Sequence, residues 1–106
     1  MSDLVELRDA MRKFTAERDW EKFHDPKSLV LALVGEVGEL AELLQWIPAE
    51  SAADMARTEP LHARLGEEIS DVLLYLIRLA DVLEIDLPEA ATNKMKMNGE
   101  KHSAGR

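Results

Sequence analysis

The chain has 106 residues and no cysteine, with 13 lysines and arginines against 21 aspartates and glutamates, for a formal net charge of −8. That length fits one domain, which buries only about two-thirds of its unfolded surface and so has a thin core. The acidic balance excludes a nucleic-acid polymer and an anionic membrane surface as partners, and the missing thiols exclude disulfides, thiolate zinc and a cysteine nucleophile.

The first helix is predicted from Asp3, a candidate N-cap, to about Arg18. Leu4, Leu7, Met11 and Phe14 recur there at helical spacing as one apolar stripe. The charged opening, Met1 to Arg12, is not a signal peptide, and a cytoplasmic protein is the expectation. An irregular link over 19–27 holds Trp20, Phe23, His24 and Pro26. The second helix is predicted from Ser28, its expected cap, to about Trp46, with Pro48 ending it. Residues 47–59 read as a polar, alanine-rich connection with a short helix around 49–56. The third and longest helix starts near Pro60, capped by Thr58 or Glu59, and runs to about Leu83. Asp86-Leu87-Pro88 is a stop followed by a start, so a fourth helix covers roughly 88–97. No segment alternates as a half-buried strand does. The reading is all-α: an antiparallel four-helix bundle, one domain over 1–98, and a mobile tail over 99–106.

Two helices are greasier than such a bundle needs. Leu29 to Val34 is apolar all round, and Val72 to Ile77 nearly so. Both runs are far too short to span a bilayer. A helix apolar on every side must be covered on every side. Four short helices cannot do that alone, so other copies of the chain are expected to cover them.

Against this background the acids stand out. Glu36 and Glu39 share one face of the second helix, and Glu68 and Asp71 repeat the spacing on the third. Two such pairs on antiparallel neighbours converge on one spot. Four crowded carboxylates repel and are costly to desolvate unpaired. Oxygen-only ligands suit a hard cation, Mg²⁺ or Mn²⁺, and four carboxylates balance two divalent ions. The commoner fate of glutamates on a helix is a solvated face. A di-iron bundle wants glutamate followed three residues later by histidine; Glu21–His24 and Glu59–His62 have that spacing, but neither motif includes one of the four paired acids, and redox iron is discounted. Gly35 and Gly38, beside the first acids, mark either a packing notch or close backbone access.

The stretch Glu36-Val37-Gly38-Glu39-Leu40-Ala41-Glu42-Leu43, followed by Glu67-Glu68-Ile69-Ser70-Asp71-Val72-Leu73, resembles the all-α nucleoside triphosphate pyrophosphatases, the MazG-like proteins. Residues 17–24 and 31–35, with Gln45-Trp46, resemble its dCTP pyrophosphatase branch in order, and the likeness covers 14–98. The resemblance implies antiparallel helices assembled as a tight homodimer or homotetramer, a dimer of dimers. It implies an enzyme: Mg²⁺-dependent cleavage of a nucleoside triphosphate to monophosphate and pyrophosphate, with dCTP or a modified dCTP as substrate, in nucleotide-pool sanitisation. Glu36, Glu39, Glu68 and Asp71 become metal ligands and catalytic residues. Trp20 and Trp46 become the aromatic pair that holds the base, and His24 lines their pocket. Lys94 and Asn98 would hold phosphate or sugar. Arg78 is expected in an ion pair with Asp81 or Glu84 in preference to a phosphate. The branch tends to end in Lys-x-x-x-Asn-x-x-x-Tyr-Pro, whereas His102 and Ser103 stand here in place of the tyrosine and proline. The competing readings are a non-catalytic oligomeric interaction module and the same chemistry on dUTP or another nucleotide.

Overall fold

The computed structural model describes residues 3–102. Among these it is wholly helical: α1 (Asp3–Glu17), a single 3₁₀ turn (Glu21–Phe23), α2 (Pro26–Leu44), short α3 (Ala49–Ala56), α4 (Leu61–Val82) and α5 (Leu87–Lys101). The all-α expectation holds, with the short connecting helix as a fifth element.

Helix α4 is the axis on which α1, α2 and α3 pack, and α2 and α4 share the largest contact. They run antiparallel. Trp46, just past the end of α2, lies beside Leu61 at the start of α4. Leu29, near the start of α2, lies beside Leu74 and Arg78. The buried core is small: Leu29, Leu65, Ile77 and Ala80, joined by Thr15 and Arg78.

Local chemistry sets the ends. Asp25, not Ser28, caps α2; its carboxylate accepts from Ser28 N at 2.9 Å and Ser28 Oγ at 2.7 Å. Pro26 then sits in the first turn, where its missing N–H is harmless, so α2 begins two residues before the predicted start. Helix α2 also ends at Leu44, which leaves Trp46 in the following turn. Neither Thr58 nor Glu59 is the cap of α4; Pro60 holds that position, and Glu59 accepts from Ala63 N at 3.2 Å inside the first turn. Asp86 caps α5 by accepting from Glu89 N at 3.1 Å.

Helices α1 and α4 both stop in Schellman turns. Trp20 N donates to Thr15 O at 2.9 Å and Asp19 N to Ala16 O at 3.2 Å. Ile85 N donates to Ala80 O at 2.8 Å and Glu84 N to Asp81 O at 3.0 Å. The left-handed residue in each, φ 56° at Asp19 and 57° at Glu84, is not glycine.

Two expectations are corrected. The inner face of α1 is Leu4, Arg8, Met11 and Thr15, while Leu7 and Phe14 are exposed. Polar Arg8 and Thr15 point inward because each has a partner: Arg8 binds Asp9, and the Thr15 hydroxyl donates to Arg12 O. Phe14 instead takes the Arg18 guanidinium 3.5 Å above its ring and Trp20 edge-on at 5.6 Å. The last helix runs to Lys101, past the predicted end near Met97; Ser103 to Arg106, in the expected tail, lie outside the described residues.

Candidate active site

The acids meet where α2 crosses α4. One carboxylate oxygen from each of Glu36, Glu39 and Glu68 lies within 4.8 Å of the other two. Three-residue spacing puts Glu36 and Glu39 on one face of α2, and the antiparallel packing brings Glu68 of α4 against them. Oε2 of Glu36 and Oε2 of Glu68 are both buried without a hydrogen-bond partner. Desolvation, then the charge of Glu39, pushes both carboxyls above the usual range, and Asp71 adds to each. Asp71, the fourth predicted ligand, thus acts on the cluster by charge and stands outside its close three-acid contact.

Two hollows flank the cluster. One is a cavity of about 160 Å³ between α1, the link, α2 and α4, with Trp20, His24, Asp71 and Tyr75 among its walls. Met11, Leu29 and Leu74 complete it as apolar surface. Water takes roughly 30 Å³ in the liquid, so the space suits a single six-membered ring and little more. The other hollow is wide and open, walled by Glu39, Glu42, Trp46, Arg64 and Glu68. Trp46 is 86% exposed there.

Trp20 and His24 therefore share a cavity with Asp71. The two tryptophans do not share one within a single chain. Lys94 and Asn98 line neither hollow; they lie on α5, exposed at every residue from Glu89 onward.

Beside the small cavity lies a network anchored in α4. Arg78 Nε donates to His24 Nδ1 at 2.9 Å, and its Nη1 to Asp81 at 3.4 Å. Arg12 Nε of α1 donates to the same Asp81 carboxylate at 2.7 Å. The Arg12 hydrogen bond, with the charges of Arg12 and Arg78, holds the Asp81 carboxyl below its ordinary range, and Asp81 in turn raises Arg12. Burial, then the Arg78 charge, pushes His24 down, so its neutral form dominates at neutral pH. The expected Arg78–Asp81 pair is present.

Sequence reasoning missed three side chains. Tyr75 lies one turn after Asp71, on the same stripe, and that spacing was its signal. Arg64 lies one turn before Glu68 and is the sole cation among the described residues that line the open hollow. Arg12 carried no signal, since its partner is 69 positions away.

The family model for the MazG nucleotide pyrophosphohydrolase domain matches residues 24–103. The chain belongs to the MazG nucleotide pyrophosphohydrolase family. It is 50% identical over 99 residues to dCTP pyrophosphatase 1 of Bos taurus, covering 93% of this chain and 59% of that protein. Against dCTP pyrophosphatase 1 of Homo sapiens identity is 48% over 101 residues, covering 95% and 59%. The chain thus spans about three-fifths of the length of these relatives. A pyrophosphatase from Archaeoglobus fulgidus DSM 4304 superposes with a TM-score of 0.86 at 37% identity, covering 95% of this chain and 93% of that one. The cluster of Glu36, Glu39 and Glu68 lies within the matched span.

Proposed function

We propose that this MazG chain hydrolyses a nucleoside triphosphate between the α- and β-phosphates, giving the monophosphate and pyrophosphate. Its preferred substrate is dCTP or a modified dCTP, and its role is to cleanse the nucleotide pool in the cytoplasm. The observation that carries this reading is the trio Glu36, Glu39 and Glu68, with two of their buried oxygens left without a donor.

Such a set is stable only if its charge is neutralised. All its donors are carboxylate oxygens, which fits a hard divalent cation. Glu36, Glu39, Glu68 and Asp71 would hold Mg²⁺, with Mn²⁺ as a substitute. A metal held there would supply polarisation of phosphoryl oxygens and a bound water of lowered pKa. One glutamate of the set takes the proton from the attacking water. The chain carries −8 and the substrate is an anion, so the protein offers the phosphates little positive charge of its own. Arg64 supplies some of it from the open hollow. The base is read as entering the small cavity, with its face against Trp20; stacking there contributes roughly 1–3 kcal/mol.

One chain leaves the tryptophans apart and α5 uncovered, and both features support a homodimer or a dimer of dimers. Within that assembly Trp46, Lys94 and Asn98 of one copy complete a site begun by another. Residues 1–98 are read as the catalytic domain of each copy.

The test is pyrophosphate release from a panel of nucleotides with and without Mg²⁺. The expected result is turnover of dCTP, ahead of dUTP and the purine nucleotides, only when the metal is present. Glu39→Gln and Asp71→Asn should each lower kcat at least about a hundredfold, because the charge stabilisation lost is several kcal/mol. Saturating Mg²⁺ should raise the melting temperature of the parent by about ten degrees and of the variants far less. Metal-independent turnover, or none with any nucleotide, would remove the reading; none at all would favour the interaction module.

A further inference from the structure

We infer that Arg78 is a positioning residue: it fixes His24 as a neutral imidazole protonated on Nε2, so that the ring offers one hydrogen-bond donor to an acceptor atom of the base. The second half rests on the proposed function, and the first does not.

A guanidinium donates hydrogen bonds and never accepts them. Arg78 Nε–H points at His24 Nδ1 from 2.9 Å, so Nδ1 must present its lone pair. A neutral ring then has one place left for its proton, Nε2. A doubly protonated ring would set N–H against N–H beside a full positive charge.

Arg78 cannot turn away from this task. Its side chain is 9% exposed, and Asp81, 10% exposed, holds its Nη1. Arg12 grips Asp81 from α1, so the orientation of His24 is enforced from α1 and α4 together. The ring itself sits in the link, after the single 3₁₀ turn, where the His24 backbone N–H donates to Glu21 O at 3.1 Å.

His24 Nε2 has no partner among the described residues, and His24 walls the small cavity. Among the other walls, Leu29 and Leu74 offer no hydrogen-bond acceptor in their side chains, and Met11 offers only a weakly accepting thioether. A donor in such a wall is satisfied by a carbonyl oxygen or an unprotonated ring nitrogen of a pyrimidine. The remaining polar wall groups are the Tyr75 hydroxyl, the Asp71 carboxylate, the Trp20 indole and Arg78 itself.

Nitrogen-15 spectra of the free 106-residue chain at pH 8 read the tautomer directly. His62→Gln and His102→Gln single out the His24 signals. Arg78→Met removes the donor at nearly constant length. Arg78→Gln returns an amide N–H at the same number of bonds from the backbone as Nε. In the parent, His24 should show an unprotonated Nδ1 and a protonated Nε2. Arg78→Met should mix the tautomers and raise KM for dCTP roughly five- to tenfold, as expected for one hydrogen bond, with kcat within twofold. Arg78→Gln should restore both the tautomer and KM.

A parent spectrum with the proton on Nδ1 overturns the inference without any variant, even if Arg78→Met fails to fold. So does an unchanged tautomer in folded Arg78→Met. If the tautomer responds but KM does not, the donor does not meet the base. Trp20→Ala separates that outcome from a wrong placement of the base: an unchanged KM there moves the base out of this cavity.

Discussion

At the residue scale, Asp81 ties together more of the molecule than any glutamate in the acidic cluster does. It receives Arg12 from α1 and Arg78 from its own helix, and through Arg78 it reaches His24. Its carboxyl is held below the ordinary value, so the native state binds its proton less readily than the unfolded chain. Stability from this group is complete above the ordinary carboxylate range and is lost as pH falls through it toward the lower folded value. Asp81→Asn should therefore destabilise by about 2 kcal/mol at pH 7, the size of a charged hydrogen bond, in urea denaturation. The gap to the parent should shrink steadily between about pH 5 and pH 2. A gap independent of pH would show that lost packing is responsible. One part of this network was legible in the sequence: Arg78 and Asp81 are three apart on a helix. The rest was not, because Arg12 and His24 join it across separations of 69 and 54 residues. No local pattern records such a meeting. The acids differed, since equal spacings on two long helices pointed to a meeting of acids, and Glu36, Glu39 and Glu68 do meet while Asp71 stands outside their contact.

At the element scale, periodicity, composition and stop–start signals placed the α-helices, and the errors lay in faces and ends. Leu7 and Phe14 looked like the buried stripe of α1, yet Arg8 and Thr15 took the inner positions. Hydrophobicity alone cannot foresee that, because each polar side chain has a partner within its own helix, Asp9 for Arg8 and the Arg12 carbonyl for Thr15. The start of α2 was missed for a similar reason. Ser28 is a good cap by type, but Asp25 binds both its N–H and its hydroxyl. The stops of α1 and α4 lack the usual glycine signal, since Asp19 and Glu84 occupy the left-handed positions. A non-glycine residue there costs about 1 kcal/mol. Glu84→Gly should raise stability by about 0.5–1 kcal/mol net of the added freedom of the unfolded chain. Thermal melts should show this as an increase of roughly 2–8 °C. A decrease would mean that the Glu84 side chain makes a contact worth more than the strain.

At the scale of the whole molecule, one chain is an unfinished object. Its radius of gyration is 16.7 Å, where a compact domain of this length takes about 13 Å. Val30, Leu31, Val34 and Val37 of α2 are exposed, as are Ile69, Leu73 and Leu76 of α4. All but Val37 and Ile69 lie in the two runs whose sequence called for cover on all sides. Light scattering at micromolar concentration should give at least twice the chain mass, and Val34→Arg should lower it toward the single-chain value. A monomeric parent would require the exposed stripes to serve another partner. The turn that ends α1 also governs how chains of this fold can vary. One residue inserted inside α1 rotates everything after it by about 100°, which swings Trp20 off the wall it builds and carries the histidine behind it out of reach of Arg78. Extra residues between α2 and α4 disturb neither. Insertions and deletions among kindred chains should then gather in that connection and beyond α5, and the first helix should keep its length.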